Sequence, residues 1–537
     1  MAKLLALALL VSVCVGLLAF QHVRVAHGYM TDDAFISFRY ALNLAHGHGI
    51  VWNIGDPVEG YTNVGWIVAL AGGIKLGVDP VKSAQVLGFL ASVGTFALLP
   101  FLATRLRPAG TTDWWLIVIG ASAALALNTG FSLWTFAGLE TTACAFLIVA
   151  GIGLHLWEEE DDGRPLWSSL VFVAAAMLRP DMAVIWAVTA FFKALRLASR
   201  GWRSRLPGFL LWVALFAGLY GGYWLWRWSY YGYFFPNTYY LRNDHSWDLI
   251  DRGWHYAWSF ITVYWMWLVL VALFSVWTER HQAQRPARYL LAVVLVWAGY
   301  VVYSGGDWMP YYRFFVPVLP IAYLLVMCGT SDLVRLLVPR LIPQPLGLVT
   351  VGIVAFAVAF VTIRPYDSSV AKQTEVFATQ FLPGGVDQRT DREIGSWLKD
   401  SLPADYTLAL IEAGAIPYYS ELRAIDLLGV NDEHIAHLDL PLGRGPAGHE
   451  KQDGGYVISR RPEVIWLAQS FEPMARSTAE DYLPPKDLDW FPVKTAITQN
   501  GYVWFLYRPV AIHFDEGWLN LLVRQDVELA ILSNSIH

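Results

Sequence analysis

The sequence predicts a polytopic α-helical membrane protein with a C-terminal α/β domain outside the bilayer. Hydrophobic residues make up 56% of the 537 residues and charged residues only 15%, whereas soluble proteins carry about 25% charged residues. Long apolar runs recur up to residue 362, and the chain beyond it is richer in charge, proline and glycine. We therefore predict a transmembrane domain over residues 1–362 and a soluble domain over residues 363–537.

Eleven apolar runs approach the length of about 17–25 residues that a helix needs to cross a bilayer. In chain order they are 4–20, 84–103, 114–130, 139–157, 166–178, 181–195, 208–226, 257–277, 288–304, 311–328 and 345–362. A further run, 64–77, is shorter, contains Lys75 and ends in the turn signal Gly-Val-Asp-Pro. It is predicted to be an interfacial helix within the first outer loop, residues 21–83.

The basic loops predict the orientation of these spans. Lysine and arginine gather in short loops on the cytoplasmic side of a membrane. The loop 193–205 is strongly basic, and loops 104–107, 279–288 and 331–340 also carry arginines. All four lie inside if the N-terminus is inside and the run 64–77 does not cross. This topology places the C-terminal domain outside.

Three segments of the C-terminal domain have the pattern of buried strands. "TLALIEAGAIPYYS" (407–420) predicts a strand that leads into a turn and a helix. "PEVIWLA" (462–468) and "YVWFLYR" (502–508) predict two more strands. Strands mixed with a helix in this region favour a small α/β domain.

Charge and cysteine placement exclude several classes of function. A net charge of −6 is not typical of a nucleic-acid-binding protein, which needs a basic face. Cys14, Cys144 and Cys328 each lie inside an apolar run, so they are predicted to be buried small side chains rather than disulfide partners or zinc ligands.

Five separate segments bring acidic residues and arginines to the predicted outer face. The first outer loop carries the adjacent pair Asp32 and Asp33 just beyond the first span. The other four segments contribute Glu140 in "FAGLETT", Arg179 and Asp181 in "LRPD", Asn237 and Arg242 in "YYGYFFPNTYYLR", and Asp307 and Arg313 in "GGDWMPYYRFF". Ionisable residues near a membrane are costly to bury unless they are paired or line a wet cavity, which makes them functional candidates.

Some of these residues have an equally good structural explanation. Glu140 and Asp181 fit a structural ion pair with Arg179 or Arg313 as well as they fit a catalytic role. The aromatic residues of 230–240 fit an interfacial belt, and they fit equally a platform for a sugar or a prenyl chain.

The first outer loop also contains His46 and His48, which flank a glycine. Their spacing relative to Asp32 and Asp33 matches no standard metal motif, so they are interpreted as loop residues that make hydrogen bonds. The adjacent aspartates are harder to explain by structure alone. They predict catalysis or donor-phosphate chemistry.

The same segments resemble a known class of membrane enzymes. "TDDAFISFRYALNLAHGHGIVWNIGDPVEGYTN" (31–63) resembles the first periplasmic loop of the GT-C glycosyltransferases, above all the mycobacterial terminal arabinofuranosyltransferases and their bacterial relatives. "GLET", "RPD", "PNTYY", "GGDWMPYYRF" and "AGAIPYYSELRAIDLLGVNDEHIAH" (413–437) are similar to further blocks of that family, in the same order. The resemblance covers about residues 28–470. Arg242 departs from it, because relatives are expected to carry lysine there.

The resemblance implies a GT-C-like fold and a glycosyltransferase of the bacterial inner membrane. The donor would be a polyprenyl-phosphate-linked sugar, most simply arabinofuranose, that reaches the site from the outer leaflet. The acceptor would be a cell-envelope polysaccharide outside the membrane. The catalytic aspartate expected in the first outer loop maps onto Asp32 or Asp33.

The chemistry of sugar transfer assigns a role to each candidate. A sugar hydroxyl needs a base, whose help typically contributes about 10²–10⁴-fold, and we assign this role to Asp32 or Asp33. Arginine's planar fork suits the oxygens of the departing phosphate, which assigns Arg179, Arg242 and Arg313; a divalent cation in their place is left open, and no metal ligand is assigned. The residues assigned to the sugar and the acceptor are Glu140, Asp181, Asn237, Asp307, His434, His449 and Lys451.

Two other functions are alternatives to this one. A transporter for a lipid-linked sugar would be expected to show repeated halves and polar groups at mid-bilayer, whereas this sequence has no internal repeat and its acids lie at one face. Another GT-C activity, such as mannosyl transfer to a protein or a lipid, shares the architecture and the acidic first loop. Only the substrates would distinguish it.

Overall fold

The computed structural model describes most of the chain. The described residues are 2–26, 29–107, 114–161, 164–199, 202–244, 246–264, 266–273, 276, 286–337, 388–468, 472–478, 480–482, 497–498, 503–515 and 517–527. They form an N-terminal helical unit and a C-terminal unit built around a sheet. The predicted domain boundary at residue 362 lies outside the described residues.

The described part of the N-terminal unit is built of helices joined by loops. Its α-helices are α1 (Ala2–Ala26), α2 (Asp32–Ala45), α3 (Val64–Lys75), α4 (Pro80–Leu106), α5 (Trp114–Leu127), α6 (Thr129–Phe136), α7 (Thr141–Glu158), α8 (Trp167–Leu178), α9 (Ala183–Ser199), α10 (Trp202–Tyr231), α11 (Asn237–Arg242), α12 (Trp247–Val263), α13 (Ala287–Tyr303) and α14 (Leu319–Leu337). Short 3-10 stretches cover Pro180–Met182, Met266–Val271 and Pro310–Val318. Side-chain caps fix some of the helix starts. The carboxylate of Asp79 accepts the N–H of Lys82 at 3.2 Å at the start of α4.

Five helical stretches among the described residues are long and apolar enough to cross a bilayer. They are Lys3–Arg24, Pro80–Leu106, Thr141–Glu158, Arg205–Tyr231 and Pro310–Leu333. The pair Trp114–Leu127 and Thr129–Phe136, bent by 61°, makes a sixth if it forms one span. Each of these coincides with an apolar run that the sequence predicted to span.

The remaining predicted spans are shorter helices or lie partly outside the described residues. Runs 166–178, 181–195 and 288–304 correspond to α8, α9 and α13. Run 257–277 covers the end of α12 and a 3-10 stretch, and run 345–362 lies outside the described residues. The count of eleven spans, and with it the outer location of residues 363–537, stays a prediction.

The C-terminal unit is a mixed sheet with short helices. Its elements are α15 (Gln388–Ser401), β1 (Thr407–Leu410), α16 (Ala415–Ser420), β2 (Arg423–Asp426), α17 (Glu433–Ala436), α18 (Gly454–Ser459), β3 (Val464–Trp466), a 3-10 turn (Glu480–Tyr482), α19 (Val503–Leu506), β4 (Tyr507–Phe514) and β5 (Gly517–Arg524). The strand order is β2-β1-β3-β5-β4. Strand β1 is parallel to both of its neighbours, β2 and β3, and β5 is antiparallel to β3 and β4.

The sequence located two strands of this sheet correctly and misplaced a third. Strand β1 with its following helix lies within 407–420, and β3 lies within 462–468. The strand predicted at 502–508 is wrong, because 503–506 form a helical turn and β4 starts at Tyr507, where pairing with β5 begins. A short apolar run fits a buried helical turn as well as a strand, and β2 and β5 were not predicted.

The two units share one apolar core, which continues from the membrane helices into the sheet. Phe35 of α2 is fully buried, with its ring centroid 5.6 Å from that of Tyr418 and 5.5 Å from that of Tyr419 in α16. The first outer loop and the C-terminal unit therefore pack directly against each other. This contact places the start of α2 beneath the loop that precedes α16.

Buried polar groups also hold the two units together. We call the set of Arg39, Asn53, Asn237 and Lys451 the docking seam. The Arg39 guanidinium donates to the carbonyls of Trp52 at 2.7 Å and Leu422 at 2.8 Å. Asn53 pairs with the main chain of β2, donating to the Ala424 carbonyl at 2.8 Å and accepting its N–H at 3.1 Å. Satisfied hydrogen bonds of this kind are what buried polar groups require.

Candidate active site

The two adjacent aspartates are the first two residues of α2. The helix follows Thr31, whose backbone is extended and whose N–H donates to the Ala137 carbonyl at 3.2 Å. Acidic side chains are favourable in the first turn because the helix N-terminus carries partial positive charge. This arrangement sets both carboxylates beside the turn that carries Glu140.

Asp32 is bound to the C-terminal unit. Its carboxylate accepts the N–H of Gly414 at 2.9 Å and that of Ala415 at 2.7 Å. A side chain at position 414 would overlap Asp32, so only glycine allows this close approach. Burial raises the pKa of Asp32 to about 7, although the two N–H groups pull it in the opposite direction. Asp32 thus acts as a clamp between the two units.

Asp33 is different, because no hydrogen bond or ion pair holds its carboxylate within the described part of the chain. Burial raises its pKa, while the positive charges of Arg313 and Arg242 lower it. The nearby carboxylates of Asp307 and Glu140 raise it further. A carboxylate with a raised pKa and free oxygens has the properties of a general base.

Asp307 connects the two arginines that face Asp33. The Arg313 Nε donates to Asp307 Oδ2 at 2.7 Å, and an Arg242 guanidinium nitrogen lies 4.0 Å from Asp307 Oδ1. The Nε of Arg242 and the Oδ1 of Asp307 are buried and have no hydrogen-bond partner among the described residues. Buried groups without partners are costly, so the free Nε donor of Arg242 is available to an oxygen atom of a bound ligand.

A strained turn carries Arg313. Tyr311 and Tyr312, which precede it, have φ values of 56° and 52°, a left-handed conformation that is unfavourable for bulky residues. Tyr312 is buried and shares a 2.6 Å hydrogen bond with Ser259 of α12. Such strain persists only where surrounding contacts impose it, and it is common at functional sites.

A second acid–arginine group lies next to the first. The Arg179 Nε donates to Asp181 Oδ1 at 3.1 Å, which is the structural ion pair that the sequence left open. The guanidinium carbons of Arg179 and Arg313 lie 4.8 Å and 5.3 Å from the centroid of the Phe314 ring. Glu140 accepts a hydrogen bond from the Asn63 Nδ2 at 2.8 Å.

The structure therefore brings all five predicted segments together. We call Asp33, Glu140, Arg179, Asp181, Arg242, Asp307 and Arg313 the charge cluster. It contains four carboxylates and three arginines, so its formal net charge is −1 when every member is ionised.

Three of the remaining candidates do not contact the charge cluster in the described residues. Asn237 Nδ2 donates to the carbonyls of Gly429 and Val430 at 2.9 Å and 3.0 Å. Lys451 donates to main-chain carbonyls of the two units, and His434 is an exposed residue bound to Asp453 at 2.9 Å. Asn237 and Lys451 thus hold the docking seam, and their assignment to the sugar stays a prediction.

His449 lies closer to the charge cluster. Its ring centroid is 4.8 Å from that of Trp308, next to Asp307. Burial lowers the pKa of His449 to about 4, and the charge of Arg242 contributes in the same direction. The imidazole is therefore neutral near pH 7.

A buried ion pair that was not predicted from the sequence lies at the edge of the site. The Arg227 Nε donates to both carboxylate oxygens of Glu59, at 2.9 Å and 2.8 Å, and the Glu59 carbonyl accepts the N–H of Asn237 at 3.0 Å. Glu59 lies within the segment 31–63 that carries the resemblance, and Arg227 follows the predicted span 208–226. A charged residue that close to membrane depth was a usable signal.

One group of carboxylates in the described residues could hold a metal ion. Oxygen atoms of Asp32, Asp391 and Glu412 lie within 4.8 Å of one another. Carboxylate oxygens suit magnesium, calcium or manganese. Asp391 and Glu412 were not among the predicted site residues.

Three comparisons relate this chain to known proteins. A family model described as "Domain of unknown function (DUF8728)" matches residues 380–507. The terminal beta-(1->2)-arabinofuranosyltransferase of Mycobacterium tuberculosis is 29% identical over 272 residues, which cover 45% of this chain and 39% of that protein. The enzyme of the same name from Corynebacterium glutamicum is 27% identical over 352 residues, 57% of this chain and 50% of that protein. The matched region thus spans half or less of the length of these curated relatives.

The fold is also shared with a solved structure. ArnT from Cupriavidus metallidurans, crystallised with undecaprenyl phosphate, superposes with a TM-score of 0.50 at 12% identity, covering 78% of this chain and 85% of that chain. At this identity the likeness shows the fold alone. Together the comparisons confirm the resemblance predicted from the motifs: over about half of its length this chain is similar to terminal arabinofuranosyltransferases, and its fold is like that of ArnT.

Proposed function

We propose that this protein transfers a sugar, arabinofuranose, from a polyprenyl-phosphate donor to a hydroxyl of a cell-envelope glycan on the outer face of the bacterial inner membrane. The names of the curated relatives support the sugar, and the lipid phosphate in the ArnT structure supports the class of donor. Residues 1–362 would supply the reaction centre, and residues 363–537 would complete it from the outer side.

The observation that carries the proposal is the free carboxylate of Asp33 opposite Arg242 and Arg313. Among the described residues, no hydrogen bond holds Asp33, and both arginines contribute to its electrostatic environment. A base and an anion-binding pair are the two elements that transfer from a phosphate-linked donor requires. We assign Asp33 as the base and Asp32 as the residue that positions it.

The reaction step follows from this arrangement. Asp33 removes the proton of the acceptor hydroxyl as its oxygen forms a bond to the anomeric carbon of the donor sugar. The bond from that carbon to the phosphate oxygen breaks, and its electron pair remains on the polyprenyl phosphate. Arg242 and Arg313 balance the charge that develops there. Arg179 lies against the same Phe314 ring as Arg313, so it would add positive charge near this anion.

Direct packing supports a common location for both units. The first outer loop contacts the C-terminal unit through Phe35, Arg39 and Asn53, so both must lie on the same side of the membrane. Loop charge predicts that this side is the outer one. A reporter fused at the C-terminus should give an outside signal, and an inside signal would contradict the topology.

The proposal is tested with membranes that contain equal amounts of wild type or variant protein. The donor is radiolabelled polyprenyl-phospho-arabinose, and the acceptor is a short arabinan. Asp33→Asn should lower transfer by about 10²–10⁴-fold, and Asp32→Asn should lower it less, because its carboxylate only positions the neighbour. Asp439→Asn, an exposed aspartate outside the charge cluster, is the matched control. Full transfer by Asp33→Asn would overturn the assignment of the base.

A parallel assay with polyprenyl-phospho-mannose tests the identity of the sugar. Transfer from the mannosyl donor alone would show that the transferred sugar is a hexose and not arabinofuranose. Transfer from neither donor by wild type would refute the proposed function.

A further inference from the structure

A groove opens where the two units meet, beside the docking seam and apart from the charge cluster. Its enclosed space is small, about 10 Å³, and its lining includes Tyr231, Tyr233, Phe235, Glu433 and His437. We propose that this seam groove is a binding subsite for a sugar unit of the acceptor glycan, one or more units away from the hydroxyl that reacts. This inference rests on the proposed function and extends it to the acceptor.

Aromatic rings form one side of the seam groove. The His437 ring lies between Tyr233, at 4.6 Å between centroids, and Tyr240, at 4.2 Å. Tyr233 is 37% exposed, so part of its ring remains available. Aromatic side chains combine a large apolar surface with a polar edge, which matches a sugar ring with its C–H faces and hydroxyl rim.

His437 also provides an unused hydrogen-bonding atom. Its Nδ1 lies 2.8 Å from the carbonyl oxygen of Glu433, so this nitrogen carries the proton and donates. In that tautomer Nε2 holds a lone pair, and it is buried with no hydrogen-bond partner among the described residues. A hydroxyl group of a bound sugar would satisfy it.

Glu433 adds a second acceptor at the mouth of the seam groove. This exposed carboxylate accepts the hydroxyl hydrogen of Tyr233, which joins the two units. An acceptor-rich aromatic lining favours a polyhydroxylated ligand. It is unsuited to an isoprenoid chain, which would leave these polar groups unsatisfied, and it would repel a phosphate.

Helix α11 links the seam groove to the charge cluster. Asn237 lines the seam groove at the start of this helix, and Arg242 lies beside Asp307 at its end. Five steps of about 1.5 Å separate the two positions along the helix axis. This short span places the groove within reach of a glycan chain whose terminal hydroxyl lies at Asp33.

The test compares acceptors of two lengths, an arabinan disaccharide and an arabinan hexasaccharide, with full-length protein in membranes. For Glu433→Gln and His437→Gln, kcat/KM for the hexasaccharide relative to that for the disaccharide should fall about tenfold, as expected for one or two lost hydrogen bonds. Phe505→Ala, which removes an exposed aromatic ring elsewhere on the C-terminal unit, is the matched control. An unchanged ratio in both variants would overturn the proposal.

Direct binding separates this inference from the proposed function. The Asp33→Asn protein should bind the hexasaccharide, as measured by saturation-transfer NMR, and the double variant Asp33→Asn/His437→Gln should bind it more weakly. If wild type shows no transferase activity but binding of the hexasaccharide still depends on His437, the proposed function is refuted and the subsite is retained. Equal binding by both proteins, with normal transfer by wild type, would refute the subsite alone.

Discussion

The docking seam and the charge cluster are both rich in buried polar groups, but only in the docking seam do these groups have hydrogen-bond partners throughout. In the docking seam, Arg39 and Asn53 each donate to a main-chain carbonyl of the C-terminal unit, that of Leu422 and that of Ala424. In the charge cluster, Asp33 has no hydrogen bond within the described residues, and atoms of Arg242 and Asp307 lack partners there. Saturated groups hold a structure together, whereas unsatisfied groups await a ligand.

Among changes that compare the charge cluster with the docking seam, the largest loss of transfer is expected from the substitution of Arg242. Arg242→Ala should lower transfer by about 100-fold, comparable to the loss of one donor that stabilises developing negative charge. Arg242→Lys should retain most of the rate, because it preserves the positive charge beside Asp307. The measurement is initial transfer rate per amount of folded protein in detergent.

Thermal unfolding of the same proteins completes that comparison. Since the Arg242 side chain makes no hydrogen bond among the described residues and lies 4.0 Å from Asp307 Oδ1, Arg242→Ala should change the melting temperature little. A large loss of stability with an unchanged rate would assign Arg242 to the docking seam instead.

The pH dependence of transfer should show a smaller effect, about tenfold per pH unit below the relevant pKa. Burial raises the pKa of Asp33, and the base must be deprotonated, so the acid limb of kcat/KM should lie above the usual aspartate value of about 3.9. Because the charge of Arg242 lowers this pKa, Arg242→Ala should move the acid limb to still higher pH. A limb that moves to lower pH in this variant would contradict the placement of Arg242 beside Asp33.

The smallest effect on transfer is expected from a change in the docking seam. Asn53→Ala removes two hydrogen bonds to Ala424 and should destabilise the protein by about 1–3 kcal/mol, while the rate per folded molecule stays near that of wild type. Ser459→Ala, at an exposed site, is the control in thermal unfolding. A rate that falls far more than the folded fraction would show that the docking seam also shapes the reaction centre.

Several features of the fold could be predicted because they depend on local sequence. The length of an apolar run determines whether a helix can cross a bilayer. Among the described residues, the five helical stretches of membrane-spanning length and the bent pair over 114–136 all coincide with predicted runs. The strand predicted at 502–508 failed because a short apolar run does not distinguish a strand from a helical turn. Pairing with β5, the next strand of the same hairpin, places the start of β4 at Tyr507.

The sequence predicted which residues lie at the candidate site, but not what each of them does there. Sequence placed Asp33, Arg242 and Asp307 on one face, and the structure brings them together. Asn237 and Lys451 looked equally suited to bind sugar, yet their donors are bound to main-chain carbonyls. The motif around Glu59 did not reveal its partner Arg227, which lies 168 residues further along the chain.

The sequence by itself determined the membrane class, the order of the apolar helices and the chemistry of five polar segments. These follow from local composition, since hydrophobic length and charge depend on neighbouring residues. Only the tertiary structure distinguished Asp32 from Asp33, because the N–H group of Gly414 that binds Asp32 lies 382 residues away. Two adjacent aspartates are chemically identical in the sequence. The fold holds Asp32 against the C-terminal unit, and Asp33, which has no hydrogen bond among the described residues, is the one that we propose as the base.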